Sequence, residues 1–273
     1  MELKEIQHYS NTQEQLVPLF TPKVLIFPSA SEVDAYAANR VKEQIQQNPE
    51  SVLTLPTGNT PTGMYERLVA LSQDKEVDMS RVTIFNLDEY YPIHPSHPGS
   101  YTTYMRRNLI DKVPIGQWYI PDGEGTTAEE ESRRYKKILD SHQPVDLAIL
   151  GLGPGTTCHI GFNEKGSSLD SSVRYVPLDP QTKATNERLF TNPSEIPGGT
   201  ITQGIADILQ AEEIIVIAKG ASKAWGVERS LHGPVTADCP ASFLRLHPHV
   251  TFLLDQEAAK EIITAVPERS GGK

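Results

Sequence analysis

Four short stretches set reactive side chains directly behind apolar runs. In "GLGPGTTCHIGFNE" (151–164), three glycines lead into His159, and Glu164 follows five residues later. A carboxylate near an imidazole orients the ring and favours its charged form, which suits a proton donor. In "FNLDEYY" (85–91), Asp88 and Glu89 follow an apolar run. A carboxylate there can sit partly desolvated on a pocket floor, with its pKa raised into the range of a useful base. In "LPTGNTPTG" (55–63), Gly58, Asn59 and Thr60 lie at the start of a helix, where free N–H groups and hydroxyls make an anion cradle. In "GASKAW", Lys223 opens a helix after the run 213–218 and points toward the same kind of crevice.

Each feature also has an ordinary reading. The glycine loop is then a tight strand-to-helix turn, and it is no P-loop, because Met64 stands where the lysine belongs. Asp88 and Glu89 are then helix-capping or turn carboxylates, His159 a packed core histidine, and Lys223 and Arg188 solvated charges. "GLGPGT" lacks the third glycine of a dinucleotide fingerprint. His94 and His97 lie in a proline-rich loop without metal-ligand spacing, so no metal is expected. Cys158 beside His159 is a poor nucleophile–base pair, because neighbours on an extended chain point to opposite faces.

The elements that must position these groups are legible. "VLIF" (24–27), "SVLTL" (51–55), "RVTIF" (81–85), "DLAIL" (146–150), "EIIVIA" (213–218) and "VTFLL" (250–254) read as strands buried on both faces. Thr60-Pro61 predicts a helix start, with Met64, Tyr65, Leu68 and Leu71 on one face. Thr127 to Glu130 has capping-box spacing, followed by Tyr135, Ile138 and Leu139. Alternation of strand and helix predicts an α/β fold with a mostly parallel sheet, whose ligands collect beyond the carboxyl ends of the strands.

The 273 residues suit one large domain, with residues 1–22 as an N-terminal extension and 23–273 as the domain proper. A net charge of −10 argues against nucleic acid as a partner. No apolar stretch reaches the roughly 18 residues of a membrane span. The N-terminus lacks a secretory pattern. Two cysteines predict no disulfide framework and fit a reducing cytoplasm.

Together these stretches resemble the glucosamine-6-phosphate deaminase family, from about Val24 onward. "LPTGNTP" resembles its phosphate-binding loop, "FNLDEYY" with "HPGSYTTYM" its catalytic-base segment, and "HIGFNE" its ring-opening segment. "TNERLF" and "GASKA" resemble the stretches carrying a phosphate-contacting arginine and lysine, and "GPVTADCPASFLRLH" (233–247) resembles another family stretch. The resemblance implies a modified doubly wound, Rossmann-like α/β sheet with helices on both faces. It implies that Gly58, Asn59, Thr60, Arg188 and Lys223 hold the phosphate of an amino-sugar phosphate. His159, with Glu164, would open the sugar ring, and Asp88 would carry a proton from C2 to C1 before ammonia leaves. No cofactor is implied, and a homo-oligomer is left open. The alternatives are a galactosamine-6-phosphate isomerase, a 6-phosphogluconolactonase-like hydrolase, or a non-catalytic sugar-phosphate sensor. The related lactonases lack the Phe-Asn-Glu that follows Gly161 here.

The sequence departs from the family pattern Gly-x-Gly-x-Asp-Gly-His. Thr157 stands in place of the aspartate, Cys158 in place of the glycine, and the loop is two residues longer. Lys165 replaces a common proline. Val176 replaces a lysine of members regulated by an acetylated sugar phosphate, while Arg174 is kept, so regulation of that kind is expected to be weak or absent.

Overall fold

All six apolar runs become strands of one sheet. In the computed structural model, which describes residues 6–7, 17–178, 190 and 195–264, the elements in chain order begin with β1 (Ile6–Gln7) and β2 (Val17–Pro18). Then come β3 (Lys23–Phe27), α1 (Ala30–Gln47), β4 (Val52–Leu55), α2 (Thr62–Gln73), β5 (Thr83–Asn86) and β6 (Asp88–Tyr91). After these follow α3 (Tyr101–Met105), β7 (Gln117–Tyr119), α4 (Ala128–Asp140), β8 (Leu147–Gly151), β9 (Arg174–Pro177) and β10 (Gly199–Thr202). The last are α5 (Ile205–Ile208), β11 (Glu213–Ala218), α6 (Ala224–His232), β12 (Val250–Asp255) and α7 (Gln256–Thr264).

The main sheet runs β3-β12-β11-β8-β4-β5-β7, with every neighbouring pair parallel. Its strands show why their sequences are continuously apolar. Successive side chains point to opposite faces, and both faces are covered. Leu147 and Ile149 join the cluster built with Val33 and Val41 of α1 and Met64 and Leu68 of α2. Ala148 and Leu150 join the other, with Tyr135 of α4, Val227 of α6 and Ala258 of α7. The exception is β3. It lies at the sheet edge, and Lys23 and Ile26 are exposed, so the expectation of burial on both faces fails there.

A second, three-stranded antiparallel sheet, β6-β10-β9, was not legible in the sequence. It places Asp88 opposite Thr202. At α4 the capping expectation stands: Thr127 Oγ1 accepts from Glu130 N at 3.1 Å. At α2 it does not. The helix begins at Thr62, Pro61 takes the cap position, and no side chain caps it. The Thr62 hydroxyl instead donates back to Gly58 O at 3.3 Å, tightening the preceding loop. Among the described residues, no helix is long and apolar enough to cross a membrane.

Candidate active site

Three main-sheet strands, β4, β8 and β11, deliver loops to one cavity at their carboxyl ends. The cavity has a volume of about 240 Å³. Gly58, Asn59, Thr60, Asp88, His159 and Lys223 all line it, together with Thr57, Tyr101 and Phe162. Of the residues singled out from sequence, Glu164 stands just behind this wall. Arg188 lies outside the described residues.

The loop after β4 turns on Gly58, whose φ of +92° is a conformation that side-chain-bearing residues rarely adopt. Nothing lies within 4 Å of where its Cβ would be, so the turn, and not tight packing, requires glycine. Tyr104 fixes the turn by donating its hydroxyl to Gly58 O at 2.6 Å. Lys223 comes from the short turn between β11 and α6. Its ammonium donates to Leu152 O, and burial pushes its pKa down to about 8.

Asp88 opens β6, where the chain leaves the main sheet through Leu87. It is 4 % exposed. Burial, reinforced by the charge of Glu89, raises its pKa to about 8, against the pull of a hydrogen bond from Thr57. The two adjacent carboxylates have separate jobs. Glu89 accepts from the N–H groups of Tyr101 and Thr102 at 2.9 and 2.8 Å, and from the Ser100 hydroxyl at 2.7 Å. It caps α3, which is the ordinary reading of the pair, although it does so while buried.

The loop after β8 folds back on itself, with Leu152 bridging to Ile160 and Gly153 N donating to His159 O at 2.8 Å. The imidazole lies flat over Gly153, where a Cβ would stand 2.6 Å from three ring atoms. This close approach explains a glycine that needs no unusual φ. His159 Nδ1 is 3.3 Å from Glu164 Oε2, within ion-pair reach, yet it makes no aligned hydrogen bond. Gly161, at φ +57°, carries the chain past the carboxylate: its Cβ position is 3.4 Å from Asp88 Oδ2. The imidazole-bearing loop and Asp88 therefore share one wall. Thr157 also lines the cavity, and its hydroxyl donates to Pro154 O at 2.9 Å.

The structure corrects one expectation about cysteine. Cys158 and Cys239 form a disulfide, with Cα atoms 4.9 Å apart and a sequence separation of 81. Counting cysteines addresses frameworks that staple small folds, not two loops that a large sheet brings together. The bond also removes Cys158 as a nucleophile. Sequence reasoning missed Thr57, Tyr101 and Phe162 as lining residues, because only the tertiary fold turns them inward. Among the described residues, no group of three or more histidine, cysteine, aspartate or glutamate side chains is placed to hold a metal ion.

The fold is a doubly wound α/β sheet, and its strand-end cavity brings together a glycine-turn loop, a lysine, a buried carboxyl and an imidazole. The chain belongs to the glucosamine-6-phosphate isomerase/6-phosphogluconolactonase family, whose model matches residues 28–253. It is 42% identical over 239 residues to a glucosamine-6-phosphate deaminase of Rhodopirellula baltica, covering 87% of this chain and 94% of the relative. A deaminase of Halothermothrix orenii is 41% identical over 239 residues, covering 87% and 98%. Among solved structures, a monomeric glucosamine-6-phosphate deaminase of the NagB superfamily is similar with a TM-score of 0.84 and 37% identity, covering 87% of this chain and 99% of that one. The 6-phosphogluconolactonase of Trypanosoma brucei shares the fold, with a TM-score of 0.70 at 23% identity, covering 89% and 99%.

Proposed function

We propose that the protein converts glucosamine 6-phosphate and water to fructose 6-phosphate and ammonia. The observation that carries this reading is a buried carboxyl, Asp88, sharing one cavity with an imidazole and a glycine-loop anion cradle. The phosphate is held by the 58–60 backbone and the Lys223 ammonium, whose charge-assisted contact supplies much of the binding. Arg188 is assigned the same task on the family resemblance.

His159, beside Glu164, donates a proton to the ring oxygen and opens the pyranose. Asp88 then takes the proton from C2 and returns it at C1, which leaves an imine carbon at C2. Water adds there and ammonia departs, giving the ketose. A base works best with a pKa near the working pH, and a value of about 8 places Asp88 in that range. The substrate's own ammonium at C2 favours the ionised carboxylate once bound.

We infer a cytoplasmic site of action, since sugar phosphates are ionised metabolites. A monomer is sufficient for the proton transfers, because one chain brings Gly58, Asp88, His159 and Lys223 to the cavity. Incubating the pure protein with glucosamine 6-phosphate yields equimolar ammonia and fructose 6-phosphate. Absence of both, or faster turnover of galactosamine 6-phosphate or 6-phosphogluconolactone in parallel assays, overturns the assignment.

A further inference from the structure

The segment Thr236–Ala241 grips the His159 loop at both ends. Ahead of the histidine, Cys239 is bonded to Cys158, and Ala241 N donates to Cys158 O at 3.0 Å. Beyond it, Gly166 N donates to Ala237 O at 2.8 Å, and Lys165 pairs with Asp238 at 3.2 Å. His159 and Glu164 lie between these anchors. The gripping segment is itself braced: Cys239 N donates to Thr236 O at 3.1 Å, and Thr236 N donates to Ser242 Oγ at 2.9 Å.

Cys158 is no ordinary buried cysteine. Its φ of +47° is a region where a glycine sits without strain and a side chain does not. A side chain kept at such a position calls for a reason. Both cysteines are buried, at 0 % and 3 % exposure, and their Cα separation of 4.9 Å falls in the range that disulfides require. The imidazole next door has no aligned hydrogen bond at Nδ1. Its orientation therefore depends on its packing over Gly153 and on whatever fixes its backbone. No aspartate stands two residues before the imidazole, since Thr157 takes that place and its hydroxyl donates to Pro154 O.

We propose that the Cys158–Cys239 bond is the positioning device for His159, so that turnover of this enzyme responds to the thiol–disulfide state of that pair. The proposal rests on the ring-opening role given to His159 above. When the bond opens, the sulfurs must separate to non-bonded contact. Gly226 O lies beside Cys158 Sγ at 3.8 Å, and Ser230 Oγ beside Cys239 Sγ at 3.7 Å. In so close a packing the displacement passes to the backbone that carries the imidazole. Misplacement of a reacting group by about 1 Å can cost up to about 10²-fold in rate. Opening takes two electrons and two protons from a dithiol, which leaves as its own cyclic disulfide. Closing by hydrogen peroxide removes the two thiol hydrogens and releases two waters. In a reducing compartment, the disulfides that do form are usually catalytic or redox-sensing, which fits a bond beside a proton donor.

The test uses the full chain, reduced with dithiothreitol until two thiols titrate and then reoxidised with stoichiometric peroxide. Reduction is expected to lower kcat about tenfold with KM unchanged within about twofold, and reoxidation to restore it. The Cys158→Ser/Cys239→Ser variant is expected to stay slow and to ignore dithiothreitol. Equal kcat in both redox states, or a double variant as fast as the native protein, overturns the proposal. Proton NMR of the histidine Hε1 signals gives a readout that needs no turnover. The His159 resonance, assigned through His159→Gln, moves on reduction while the distant histidines stay still. If no ammonia appears in either state, the functional reading fails by itself. An unmoved His159 signal then overturns the positioning claim separately.

Discussion

Asp88 shows how neighbouring identical chemistries separate. It and Glu89 are consecutive carboxylates, both buried, yet only Glu89 is surrounded by backbone donors. Asp88→Asn is expected to lower kcat by at least about 10²-fold while KM changes little, read from steady-state ammonia release. The same substitution has an opposite effect on stability. A carboxyl whose folded pKa is raised takes up a proton on folding, so its contribution is present at low pH and lost as pH climbs toward about 8. The Asp88→Asn variant is therefore the more stable protein at pH 9, by at least about 2 kcal/mol in urea unfolding, and the difference vanishes near pH 4. Rate should follow two opposed limbs. Asp88 must lose its proton near pH 8 and Lys223 must keep its own near pH 8. A plot of kcat/KM against pH is expected to be a narrow bell centred near 8, and a flat profile from pH 6 to 9 contradicts this. At this scale Gly58, Asp88, His159 and Lys223 were legible because each follows a strand end. The Cys158–Cys239 bond was not, because its partners meet only through the folded sheet.

Helix α3 is pinned at its start by one side chain. It runs on without a break into a π-helical turn at Arg106–Ile110, and Glu89 satisfies two of its first N–H groups along with the Ser100 and Thr102 hydroxyls. Glu89→Ala is expected to cost about 3 kcal/mol in denaturant unfolding, since it orphans several buried donors. It should also raise KM, because α3 carries both Tyr101, on the cavity wall, and Tyr104, which holds the Gly58 turn. Six of the seven main-sheet strands could be read from sequence, five of them because burial on both faces writes a continuous apolar run, and β3 from its apolar run alone although it lies exposed at the sheet edge. The antiparallel trio could not. "DEYY" and "GTIT" carry polar groups at buried positions, "RYVP" is only half-buried, and the three lie far apart in the chain. Residues 117–119 are a short edge strand, whose three residues leave no periodicity to detect.

The whole molecule bears on regulation. An open effector site would need Arg174 to face outward, but its guanidinium is turned inward. It donates to Asn163 Oδ1 at 2.9 Å and Ser167 Oγ at 3.0 Å. Asn163 in turn donates to Ile160 O at 2.9 Å and Gln203 O at 2.8 Å. The arginine thus braces the turn between His159 and Glu164, and Val176 offers no second cation. Initial rates are expected to be unchanged by millimolar N-acetylglucosamine 6-phosphate, and a sigmoidal curve made hyperbolic by it speaks against this.

Asp88 belongs to the antiparallel sheet, while the loops bearing Gly58 and Lys223 hang from the parallel one. On the proposed function, the two ends of the sugar are gripped by separate rafts, like the jaws of a caliper set to one length. An aminopentose 5-phosphate, one carbon short, should seat its phosphate normally and fall short at the far jaw. It is expected to act as a competitive inhibitor from which no ammonia is released.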